Sequence, residues 1–309
     1  MTATTRRTAV PAVAVVLTGA NLLNNQLAPG WYLVTCPVTA AVLVALGRAD
    51  GCTWAELGLD RDTLRPGLGW AAALAGATAA GYTMAAAWPV TRPALADARM
   101  AGVSGRGTLW QALVRIPLGT VLLEETAFRS VLPAMLARRY GPGTTTAVSS
   151  LTFGLWHIRP SRGLRQDNQV AGRAFPDGRD GAVLAGAAAV AGTAVAGVVL
   201  GALRRRGGLL APVALHWALN GLGAGFAWAV ARRPHLTDRP PVRRSRRSGA
   251  GHVAGTPRGW VSYMRTATTM PDAAVTAATA RMAVGAPARS AMTPATRAPT
   301  ANPLSRHSR

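Results

Sequence analysis

Residues 122–132 read LLEETAFRSVL, an apolar run that holds Glu124, Glu125 and Arg129. The 309-residue chain has three glutamates in all, and two of them are neighbours here. A charge at the centre of a membrane helix costs about 2.5–3.5 kcal/mol on insertion scales. Such residues face a bundle interior, pair with one another and mark function. On a helix Glu125 and Arg129 are four apart, with the acid on the N-terminal side, the favourable order for an ion pair. That pairing leaves Glu124 without a local partner.

The surrounding sequence is that of a membrane protein. Hydrophobic side chains make up 49% and charged ones 15%, well below the roughly 25% charged fraction of soluble domains. A membrane helix needs about 20 apolar residues. Apolar runs at 9–23, 31–47, 67–88, 108–140, 144–158, 182–203 and 209–230 approach or reach that length. The first follows Arg6 and Arg7 and alone resembles a signal peptide, but with further spans behind it we read it as a retained first helix. The run 108–140 accommodates one span with an interfacial helix, or two short spans. Strand signals are weak. The fold expected is therefore all-α, a polytopic bundle of seven or eight transmembrane helices. Its N-terminal helices occupy 1–107, a helical core 108–231, and a tail 232–309. The stretch 185–202, AGAAAVAGTAVAGVVLGA, has small-xxx-small spacings that let helix backbones approach closely.

The net charge is +22, and every basic residue is arginine. The tail 232–309 carries 14 Arg against Asp238 and Asp272 and is rich in Pro, Thr, Ala and Ser. It lacks a sustained apolar period, so disorder is expected there. Its arginines suit anionic lipid headgroups or plain solvation. No nucleic-acid motif accompanies the basic excess, so nucleic acid is not an expected partner. Arginine counts favour eight spans, because with seven the Arg-rich loop 159–180 falls outside. Cys36 and Cys52 provide neither a disulfide framework nor metal spacing and are expected to be buried small side chains.

Two more apolar segments carry polar groups. SSLTFGLWHIRP (149–160) places His157 at the end of a span with Phe153 four residues earlier. PVALHWALNGL (212–222) places His216 and Asn220 four apart on one side of a helix. The chain's other histidines, His235, His252 and His307, lie in the tail.

Together these stretches resemble the signature of the CPBP family of intramembrane proteases, which contains the CAAX prenyl endopeptidases and bacterial proteins of bacteriocin processing and self-immunity. The family pattern is EExxxR, FxxxH and then HxxxN or HxxxB. Here it reads Glu124-Glu125 to Arg129, Phe153 to His157, and His216 to Asn220. The resemblance covers about 108–230, and the WAELGL segment (54–59) is similar to a connection of such proteins. Ser130 departs from it, standing where the family usually has Gly. The resemblance implies an intramembrane endopeptidase acting near a membrane boundary, on a CAAX-type substrate or in peptide maturation. Glu124 with His157 would activate a water, His216 and Asn220 would donate to the oxyanion, and Glu125 with Arg129 would support the Glu124 helix. Phe153 would pack. HExxH is absent, which leans the chemistry to a metal-free site. Zinc stays open, with Glu124, His157 and His216 as its ligands. The expected partners are a membrane-associated peptide or protein and the lipid bilayer. The expected location is the cell membrane, multi-pass, in a high-GC bacterium. A non-catalytic immunity or adaptor protein on the same fold is the alternative. A transporter is disfavoured because no internal repeat is present.

Overall fold

The structure is a computed structural model that describes residues 3–232, with side chains from residue 10 onward except at 63 and 64. The tail expected to be disordered lies outside the described residues beyond Arg232. No strand occurs among the described residues. The long helices are α1 (Ala3–Leu22), α2 (Tyr32–Ala49), α3 (Leu64–Ala87), α4 (105–137), α5 (Pro142–Trp156), α6 (Gly178–Gly207) and α7 (Leu210–Ala231).

Helix α4 organises the others. It opens at Ser104, whose hydroxyl accepts the Gly107 N–H at 3.0 Å, meeting one of the free donors of a helix start. It then alternates between α-helical turns and wider π-helical turns at Gln111–Val121 and Thr126–Val131. Pro117 lies inside the first wide stretch and has no N–H to give to the ladder. Leu123, Ala127, Phe128, Val131 and Met135 of α4 form one core with Val13 and Leu17 of α1, Cys36 and Leu43 of α2, Phe153 of α5 and Leu200 of α6. Helix α3 packs along α7, and α6 along α5. The helices before residue 108 and those after it therefore share a core. Cys36 and Cys52 are both free and buried.

Burial in this bundle is the reverse of a soluble protein's. Glu124, Glu125, Arg129, Arg115, Asn24 and Gln111 are inside, while Val34, Val38 and Val42 of α2, Met84 of α3 and Val195 and Val199 of α6 are exposed. An outer surface this apolar matches hydrocarbon rather than water. Pro29–Ala49, Gly178–Gly207 and Leu210–Ala231 are long and apolar enough to cross a membrane. The structure thus supports three spans of the seven or eight expected. The others fall short for identifiable reasons. Helix α3 is built largely from Ala and Gly, which are only weakly apolar. Helix α5 has 15 residues, about 22 Å at the α-helical rise, against a hydrocarbon core of about 30 Å. The eight-span count required a break within 108–140. No connection divides α4 there, since helical turns succeed one another from Gly105 to Ala137.

The WAELGL segment clamps the C-terminal end of α4. Thr53 and Glu56 form a reciprocal capping box, with Glu56 N to Thr53 Oγ1 at 3.1 Å and Thr53 N to Glu56 Oε2 at 2.6 Å. Gly58 ends the turn at φ +73°, a conformation that favours glycine. Arg138 pairs with Glu56 at 2.9 Å and Arg139 with Asp50 at 2.5 Å. The Thr53 N–H above all, then the Thr53 hydroxyl and Arg138, hold the Glu56 carboxyl below its usual range. The hydroxyl of Ser130 donates to the buried Leu57 carbonyl at 2.6 Å. The departure from glycine at 130 thus adds a tie between this clamp and α4.

The small-residue stretch of α6 does bring backbones close. A Cβ at Gly154 of α5 would stand 2.6 Å from the Val190 carbonyl oxygen of α6, whereas one at Gly186 would meet nothing within 4 Å. Gly154→Ala is expected to destabilise the protein by about 1–3 kcal/mol, because a backbone atom cannot rotate away. Gly186→Ala should leave the thermal transition in detergent unchanged. Equal transitions for the two variants would refute tight α5–α6 contact.

Candidate active site

Adjacent residues on a helix point about 100° apart, so Glu124 and Glu125 reach different neighbours. Glu124 turns toward the end of α5. Its Oε1 accepts the indole N–H of Trp156 at 3.0 Å. Its Oε2 lies 3.8 Å from His157 Nε2 and 3.7 Å from His216 Nε2. That oxygen is buried and has no hydrogen-bond partner in the structure. Glu125 turns toward α7. Its Oε1 accepts His216 Nδ1–H at 2.7 Å, and its Oε2 lies 3.6 Å from Arg129 Nε. The Arg129 guanidinium stacks over the Phe153 ring at 3.8 Å, a cation–π contact. The same Phe153 ring stands edge-on to the His157 imidazole at 4.6 Å.

The tautomers follow from these partners. His157 Nδ1 faces the Phe153 carbonyl at 2.8 Å, and a carbonyl only accepts, so Nδ1 carries the proton. His216 Nδ1 faces a carboxylate and is protonated for the same reason. With Nδ1 so committed, each imidazole turns its Nε2 toward Glu124 Oε2. Glu124 Oε2 thus lies within 3.8 Å of ring nitrogens from two distant stretches of the chain.

Of the residues predicted for the site, Glu124, His157 and His216 come together, with Glu125 and Arg129 directly behind them. Asn220 is exposed one turn beyond His216, and no hydrogen bond among the described residues ties it to the other three. Among the described residues no group of three or more His, Cys, Asp or Glu is gathered closely enough to hold a metal ion. Sequence reasoning missed Trp156, because a tryptophan in an apolar run reads as packing. It also missed Asn21 of α1, whose amide donates to the Trp156 carbonyl at 3.0 Å. Tyr32 of α2 was missed too. It bonds Thr120 at 2.9 Å and lies where a Cβ at Gly119 would run into its ring.

A helical membrane protein with a buried carboxylate facing two imidazoles has the equipment of an intramembrane hydrolase. Residues 106–222 match the family model described as type II CAAX prenyl endopeptidase Rce1-like. That match covers nearly all of α4, then α5, α6 and the site-bearing part of α7, and over this segment the chain is similar to the CAAX-type members of the CPBP intramembrane proteases. No curated protein and no solved structure matches the chain.

Proposed function

We propose that the protein hydrolyses a peptide bond of a membrane-associated peptide or protein, near a membrane boundary, with a water activated by Glu124. The observation that carries this reading is the buried Oε2 of Glu124, without a hydrogen-bond partner, beside the Nε2 atoms of His157 and His216. A water at hydrogen-bond distance, about 2.8 Å, from both Oε2 and His157 Nε2 forms the apex of a triangle over their gap. It loses a proton to Glu124 Oε2 as its oxygen attacks the peptide carbonyl carbon. The resulting tetrahedral oxyanion accepts hydrogen bonds, and the C–N bond then breaks as Glu124 returns the proton to the leaving amine. Asn220 is a neutral amide donor suited to the oxyanion. His216 Nε2 can donate only as the imidazolium, since Nδ1–H is committed to Glu125. One such donor contributes about 10²–10³ in rate.

The donor types at this site are also those zinc accepts. If zinc is bound, Glu124, His157 and His216 would hold it only after closing in, since among the described residues no such group is gathered closely enough to hold an ion. It would supply Lewis-acid polarisation and a more acidic water. The residue roles above require water alone.

The substrate class fits a CAAX-type protein or a peptide undergoing maturation. The test compares membrane-protein termini in cells carrying the wild-type chain with those in cells carrying Glu124→Gln. Termini near a membrane boundary that arise only with the wild type identify the substrate. Identical termini in both would overturn hydrolysis and favour a non-catalytic immunity or adaptor role.

A further inference from the structure

Residues 21–25 read NLLNN, three amides in five residues at the end of an otherwise apolar helix. Asparagine is a poor helix former, and an amide among apolar groups is costly unless it is bonded. Each of the three has a bond. Asn24, on the π-helical turn Leu23–Leu27, donates to Cys36 Sγ of α2 at 3.2 Å and accepts the Thr35 hydroxyl. Asn25 donates back to the Asn21 carbonyl at 2.9 Å. These bonds serve α1 and its junction with α2. Asn21 reaches further, and its amide donates to the Trp156 carbonyl at 3.0 Å, across 135 positions.

That carbonyl belongs to the end of α5, where the last carbonyls of a helix have no helical N–H ahead of them. Those of Gly154 and Leu155 are met by the N–H groups of His157 and Ile158 at 3.0 and 3.2 Å. That of Trp156 is met by α1. A peptide unit is planar, so a bond to the Trp156 oxygen also fixes the far side of the same plane, from which the His157 Cα departs. His157 is the residue that caps the helix, at φ −84° and ψ −1°. From there its Nδ1 bonds the Phe153 carbonyl at 2.8 Å and its Nε2 faces Glu124 Oε2 at 3.8 Å.

We propose that Asn21 is a positioning residue for the hydrolysis, which holds the Trp156–His157 peptide plane and thereby aims the His157 imidazole at Glu124. The inference rests on His157 acting with Glu124 in the reaction. Asn21 lies outside the segment 106–222 that matches the CAAX-type family model. The first helix thus contributes to the site through a bond to backbone rather than through a reacting group.

Asn21→Leu keeps the size of the side chain and removes the donor. Misplacing a catalytic group by about 1 Å costs about 10²-fold, so kcat should fall about 10- to 100-fold while KM stays within about twofold. Asn21→Ala, which removes the same donor with less side chain, should give the same split. The deciding comparison uses His157→Ala. A residue that acts through His157 has nothing left to position once the imidazole is gone, so adding Asn21→Leu to His157→Ala should lower kcat no further. A merely structural role would lower both backgrounds by the same factor. That result overturns the proposal, and so does a wild-type kcat in Asn21→Leu. A second readout needs no activity. In protein labelled with ¹⁵N at its histidine rings and held in detergent, the resonances absent from His157→Ala belong to His157. They should shift in Asn21→Leu and stay in place in Thr18→Ala, a change on α1 to a hydroxyl that donates to the Ala14 carbonyl at 2.8 Å. Equal shifts in both variants, or none in either, overturn the proposal as well. Full activity in His157→Ala would instead defeat the catalytic reading of this imidazole, and the ring resonances would still decide whether Asn21 aims it.

Discussion

Glu124→Gln is expected to lose nearly all turnover, on the order of 10³-fold or more, while the helical bundle stays folded. General-base catalysis alone contributes about 10²–10⁴, and this residue is also the proposed carrier of the proton to the leaving amine. The substitution isolates that chemistry. Glutamine has the same length and comparable helix propensity. Its amide oxygen can still accept the Trp156 indole N–H that Oε1 accepts now. What disappears is the basic lone pair on Oε2, the atom with no hydrogen-bond partner in the structure. Because no bond is lost there, stability should change little. The check is turnover of a purified membrane-protein substrate alongside the thermal transition of the variant in detergent. A variant with the wild-type transition and wild-type turnover would remove Glu124 from the reaction.

The parts of this site legible in the sequence were those written in short spacings. Glu125 and Arg129 are one helical turn apart, and so are Phe153 and His157, and His216 and Asn220. An acid or imidazole inside an apolar run announces itself by its cost there. The parts not legible depend on tertiary neighbours. The bond between Glu125 and His216 spans 91 positions, and no local pattern shows that Glu125 serves two partners at once. The wide turns of α4 depart from the 3.6-residue period on which helix reading rests. Trp156 was hidden because an aromatic residue suits an apolar helix whether or not its N–H has work to do. The span count was blurred by composition, since long helices of Ala and Gly carry little hydropathy. Ser130 shows the opposite case. The substitution was visible, but its use as a donor to Leu57 needed the fold.

Glu125→Gln is expected to give the largest loss of stability among the site variants. The Glu125 and Arg129 side chains are both about 1% exposed, and Arg129 meets Glu125 as an ion pair at 3.6 Å, with no hydrogen-bond partner for its guanidinium in the structure. Removing one member of a buried pair leaves a charge without compensation and typically costs about 3–5 kcal/mol. Stacking on Phe153 offsets only part of that, since cation–π contacts contribute about 2 kcal/mol when desolvated. Glutamine can still accept His216 Nδ1–H through its own oxygen, so the imidazole need not turn. The loss should therefore track the charge of Arg129 rather than the orientation of His216. The double variant Glu125→Gln with Arg129→Met removes both charges and keeps an unbranched apolar side chain against Phe153. It should recover much of the lost stability, a non-additivity expected of neighbours in one network. Thermal transitions of the wild type, the single variant and the double variant provide the check. A single variant as stable as the wild type would mean that Arg129 does not depend on Glu125. A double variant no better than the single would place the cost in the Glu125–His216 bond and make Glu125 chiefly the residue that aims His216.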